Sequence, residues 1–123
     1  MKQSALSRLT TEALVEAYVD VGIRQDQALD RFDNKIFNRL YARNSAIADE
    51  LKSRPGDQRI HLVPLLQHPN WQVRLNAAKE LLVVAPDEAR DTLAAIAESR
   101  HFPHAGDAGM CLWTLEQGIF EPQ

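Results

Sequence analysis

Disulfides, membrane spans, glycine-rich phosphate loops and an excess of positive charge are all missing from this chain of 123 residues. Its one cysteine, Cys111, excludes an internal disulfide, and its place in a predicted helix points to a buried, unreactive thiol rather than a nucleophile. With only 5 glycines and 6 prolines the chain is not of a disordered or fibrous type. The longest apolar runs, residues 81–85 and 93–97, stop at Pro86 and Glu98, far short of the ~20 residues that cross a bilayer. At the start, Met1-Lys2-Gln3-Ser4 is followed by Arg8, Glu12 and Glu16, with no apolar region of a secretory signal, so a cytoplasmic protein is expected. A net charge of −3 and a pI near 5.8 have the wrong sign for binding that depends on neutralising phosphates, which makes nucleic acid the lesser expectation. Gly-x-Ser-x-Gly, a phosphate loop and a cysteine with a recognisable histidine motif are all absent, so no catalysis and no cofactor are expected.

What is present suits a folded domain: 45% hydrophobic and 25% charged residues, in a length that buries roughly two-thirds of the unfolded surface. One domain is expected over residues 1–123, with 1–9 a flexible start and 119–123 a tail.

Apolar spacing predicts helices throughout. Thr10-Thr11-Glu12 opens the first, which carries Leu14, Val15, Tyr18, Val19 and Val21 and is expected to end at Gly22. Asp26 then caps a long second helix to about Ser53, striped by Leu29, Phe32, Ile36, Leu40, Ile47 and Leu51, with Phe37, Tyr41 and Ala48 widening the stripe. Pro55-Gly56-Asp57 reads as a turn and cap before a third, compact helix with an internal Pro64. Pro69 stops that helix, and Asn70 caps a fourth running to Val84, with Ala77, Ala78, Leu81, Leu82 and Ala85 on its face. Pro86 sits harmlessly in the first turn of a fifth helix, with Asp87 and Glu88 at its positive end. Pro103 marks the last break, before a sixth helix over roughly 105–117 that ends at Gly118.

Laid on itself at a lag of 31 residues, the second half matches: Leu62 with Leu93, Leu65 with Ile96, Trp71 with Phe102, Ala77 with Ala108, Ala78 with Gly109 and Leu81 with Leu112. A period of this length is a solenoid signature. His68-Pro69-Asn70, then Val73-Arg74 and Ala77-Ala78, resembles the turn and second helix of a HEAT-type repeat. With Glu50-Leu51, Arg54 and Gly56 before it and Ala85-Pro86-Asp87-Glu88-Ala89 behind it, the stretch is similar to a family of short bacterial HEAT-like domains to which no function is assigned. The resemblance implies an all-α, short right-handed α-solenoid of about three antiparallel helix pairs, six helices in all. It also implies that Arg74 ties adjacent helices through hydrogen bonds to backbone or acidic groups, with Asn70, Trp71, Ala77, Ala78 and Pro86 as structural companions.

Arg31, Lys35, Arg39 and Arg43 step by four along the second helix. This strip is either a solvated flank or, more interestingly, a docking strip for an acidic partner. His101, His104, Asp107 and Cys111 have metal-capable chemistry, but Pro103 interrupts their helical spacing and no metal is expected. Trp71 is expected to pack rather than stack on a ligand, because its lag partner is an aromatic too. Ala105, Gly106, Ala108 and Gly109 invite a close helix, and Leu112, Trp113, Leu115, Ile119 and Phe120 form an apolar end expected to fold inward, a homodimer being the alternative to a monomer. The function expected is a non-catalytic protein-binding module (an adaptor, a regulator or a toxin-neutralising partner). Nucleic-acid or damaged-base recognition is the alternative.

Overall fold

The computed structural model describes residues 3–123 and, among them, contains six α-helices, one 3-10 helix and no strand. They are α1 (Gln3–Leu6), α2 (Thr11–Asp30), α3 (Asn34–Ser53), the 3-10 helix (Gln58–Gln67), α4 (Trp71–Glu80), α5 (Pro86–Glu98) and α6 (His104–Glu116). No helix among the described residues is long and apolar enough to cross a membrane. The chain gathers into two compact units that divide after Leu62, inside the 3-10 helix.

In the first unit α2 does not stop at Gly22. Leu14, Tyr18, Val21, Gln25 and Ala28 are all buried, so one stripe at spacings of four and three runs through the glycine. Gly22 is itself buried, and tertiary packing overrides its poor helix propensity of ~1 kcal/mol. Asp26 is therefore interior to α2, and the real turn is at residues 31–33. There the Phe32 amide donates to the Leu29 carbonyl at 3.1 Å and the Asp33 amide to that of Ala28 at 2.9 Å, a helix ending that needs one left-handed residue. Phe32 supplies it with φ +54°, where glycine is the usual choice. Asp33 then caps α3, accepting from the Ile36 amide at 3.1 Å. Thr10 caps α2 in the same manner, accepting from the Ala13 amide at 3.0 Å.

α3 packs along α2, and α1 also touches α3. Leu40, Ile47, Ala48 and Leu51 are buried, but the N-terminal part of the expected stripe is not: Phe32 is 90% exposed, and Ile36 and Tyr41 also face water. Of residues 1–9, Met1 and Lys2 lie outside the described residues and Gln3–Leu6 form α1. Leu6 is fully buried, and Arg54 at the end of α3 donates to the carbonyls of Leu6 at 3.3 Å and Leu9 at 2.6 Å while pairing with Glu50 at 2.9 Å. The turn after α3 places Gly56 and Asp57 at positive φ, and Asp57 accepts from the Arg59 amide as expected of a cap. The third helix is 3-10 rather than α. Buried side chains recur every third residue at Arg59, Leu62 and Leu65, which matches three residues per turn.

In the second unit, Asn70 Oδ1 accepts from the amides of Gln72 at 3.0 Å and Val73 at 3.1 Å, the expected cap worth ~1 kcal/mol. α4 ends at Glu80, a turn earlier than Val84, and Leu81, Leu82 and Ala85 bury themselves from the following turn instead. Pro86 occupies the first turn of α5, as expected. α5 packs against both α4 and α6. A Cβ on Gly109 would meet Ala97 at 3.9 Å, so the small residues of α6 serve its approach to α5.

Candidate functional site

The four-step cationic strip is not laid along one helix. Arg31 caps the C-terminus of α2, and Lys35, Arg39 and Arg43 belong to α3 beyond the turn. Packing of α2 on α3 nevertheless brings three of the four together. An open cleft of about 640 Å³ is lined by Arg31, Arg39 and Arg43, whereas Lys35 is exposed and outside the lining. Arg24 and Asp20 join from α2, and Asp33 from the turn. Sequence reasoning missed Arg24 because it placed that residue in a connection. Read through Gly22, α2 carries Asp20, Arg24, Gln27 and Arg31 on one face at helical spacing, which was the available signal.

The cleft has an apolar part to its lining, Ile23, Ala28, Ile36 and Leu40, of which Ala28 and Leu40 are buried and Ile36 is exposed. The lining also carries four arginines and two aspartates, a local excess of two positive charges in a chain of net −3. Both acids are engaged: Asp20 pairs with Arg24 at 3.0 Å and Asp33 accepts from the α3 N-terminus. Arg31, Arg39 and Arg43 form no ion pair among the described residues. Three guanidinium forks beside apolar side chains can grip carboxylates in pairs while contacting an aliphatic or aromatic neighbour.

The second unit holds the other candidates apart. His101 stacks on Trp71 at 4.3 Å between ring centres, His104 lies 5.2 Å from His101, and the Arg74 guanidinium sits 4.0 Å over the Trp71 ring. Arg74 thus contacts an aromatic face rather than the expected backbone or acidic groups, and its Nε is buried without a hydrogen-bond partner among the described residues. Phe102, the lag partner of Trp71, is 69% exposed, so the two aromatics do not repeat a packing role. Asp107 pairs with Lys79 rather than joining the histidines. Burial pushes the half-buried Cys111 thiol up from its ordinary pKa, as does the Asp107 carboxylate, against the opposing pull of Lys79. Among the described residues no three His, Cys, Asp or Glu side chains gather as a metal site. The apolar C-terminal end folds inward only in part: Leu112 and Leu115 are half-buried, whereas Trp113, Ile119 and Phe120 are exposed.

Comparison with known proteins adds kinship but no chemistry. The model of the family described as Domain of unknown function (DUF2019) matches residues 12–116. The crystal structure of the protein RPA1889 from Rhodopseudomonas palustris CGA009 is similar at 51% sequence identity, with a TM-score of 0.94 over 96% of this chain and 98% of that one. No curated protein matches.

Proposed function

The chain belongs to the DUF2019 family, and because that membership assigns no activity we propose a function from the cleft itself: a non-catalytic protein-binding module. The cleft takes an acidic, partly apolar segment of a partner protein. The observation that carries this reading is the set of Arg31, Arg39 and Arg43, gathered from two helices beside apolar lining residues and in no ion pair among the described residues. Charge complementarity of this kind steers encounter and selects partners. The HEAT-like reading of the fold belongs to the same proposal. It is supported by the Asn70 cap and by equal burial at lagged positions, Leu62 with Leu93 and Ala77 with Ala108.

Reversing Arg39→Glu and Arg43→Glu together tests it. Cross-linking and mass spectrometry of complexes captured from bacterial extract should place the wild-type partner on α2 and α3, and the variant should lose it. Equal capture by both proteins would refute the reading. The same guanidinium groups would also suit phosphates, and a duplex-DNA titration separates that alternative: steeply salt-dependent binding favours nucleic acid, and no binding at low salt discards it.

A further inference from the structure

We propose that the partner segment for this cleft includes the C-terminal edge of α6 from a second copy of the chain, an inference that rests on the cleft being a protein-binding site. The edge consists of Trp113, Glu116, Ile119, Phe120 and Glu121, all exposed. Ile119 is 67% and Trp113 52% exposed, which leaves a contiguous stretch of sequence with large apolar side chains in water.

The edge is held in one shape. Gly118, with φ +73°, turns the chain at the end of α6, and the amides of Ile119 and Phe120 both donate to the Thr114 carbonyl, at 3.0 and 3.2 Å. Little ordering entropy therefore opposes its docking. Its charge is of one sign: residues 101–123 contain no Lys or Arg, and Glu116 and Glu121 flank the apolar pair. Asp107 is already neutralised by Lys79, so these two carboxylates are the ones offered. They meet a cleft whose lining holds two positive charges in excess and the apolar side chains of Ile23, Ala28, Ile36 and Leu40. A second copy that places its edge in this cleft brings the two sets of charges together.

Sedimentation velocity on the whole chain, over a concentration range up to about 0.5 mM, tests the contact with two double variants. Arg39→Glu with Arg43→Glu makes the cleft acidic, and Glu116→Lys with Glu121→Lys makes the edge basic. Each alone should weaken wild-type self-association about tenfold or more, and 0.5 M salt should weaken the wild type. Mixing the two variants should restore association, because each cleft then meets an edge of opposite charge. Far-UV circular dichroism establishes that both variants fold. A wild type that stays monomeric, or variants that associate as wild type does, or a mixture that remains dissociated would overturn the proposal. A monomeric wild type whose cleft still captures a foreign protein would overturn only this inference. Self-association that survives cleft reversal alongside lost capture would do the same.

Discussion

The Arg54 guanidinium reaches across 45 residues of chain to the Leu9 carbonyl, at 2.6 Å, while its Nε pairs with the buried Glu50 carboxylate at 2.9 Å. It also contacts Leu6 O and Thr11 Oγ1, so one side chain fastens α1 and the entry to α2 onto the end of α3. The tying role that the family resemblance implied for Arg74 is thus performed in the first unit by Arg54. Removing it takes this partner from the buried Glu50 carboxylate. Arg54→Ala is expected to lower stability by roughly 3 kcal/mol in urea denaturation, since it breaks one side of a buried pair and with it the hydrogen bonds to Leu6, Leu9 and Thr11. Arg54→Lys keeps the charge but not the fork, and should recover only part of that loss.

Arg74 makes the contrasting case. Its guanidinium rests on the Trp71 ring at 4.0 Å and strands no carboxylate. Arg74→Gln should cost only about 1 kcal/mol, a value in the range of a partly desolvated cation–π contact. Urea denaturation at low and high salt checks this, and the difference from wild type should change little between the two.

The turn at residues 31–33 carries a conformational load that can be removed. Phe32 is 90% exposed at φ +54°, so its side chain contributes little packing while its backbone sits in a region unfavourable by ~1 kcal/mol for residues other than glycine. Phe32→Gly should therefore raise stability by about 0.5–1 kcal/mol, read as an upward shift of the thermal midpoint. Phe32→Val should lower it, because a β-branched residue tolerates this conformation worst.

That same residue explains why the fold was only partly legible beforehand. Helix starts that announce themselves chemically, at Thr10, Asn70 and Pro86, were readable because the hydrogen-bonding side chain or the missing amide proton is a property of the residue itself. Phe32 has no such signature: an aromatic at a left-handed position is set by the packing of the two helices it joins. Gly22 misled for the converse reason, since the polar but fully buried Gln25 hid the continuation of the α2 stripe. The cleft suffered from both errors. Arg31, Arg39 and Arg43 could be found as a cationic series along the chain, but Arg24 and the apolar lining residues come together only when the turn falls at 31–33.

Arg39 and Arg43 lie one turn apart on α3, and like charges at that spacing repel by a few tenths of a kcal/mol. The single variant Arg39→Glu converts the pair to a favourable one, with the acid N-terminal to the base. Stability should rise slightly, by about 0.3 kcal/mol, while any function of the cleft is impaired. A rise in midpoint denaturant concentration with loss of binding would separate a residue kept for recognition from one kept for folding.

Acid sensitivity should be concentrated at Asp57. Its Oδ1 accepts from the Arg59 Nε at 2.9 Å and its Oδ2 pairs with the guanidinium at 2.7 Å, with Arg59 only 2% exposed. The hydrogen bonds from the Arg59 side chain hold the carboxyl below the usual aspartate range, outweighing the opposing effect of burial. A carboxyl depressed in the folded state contributes stability that is fully present above the unfolded pKa and disappears as pH falls through the folded one. Asp57→Asn tolerates the positive φ of 51° but removes the charge, so it should lower stability near neutrality and flatten this part of the acid limb. Urea titrations from pH 7 down through the carboxylate range should show the two curves converging at the acid end. Parallel curves would mean that the Arg59 contacts do not depend on the Asp57 charge.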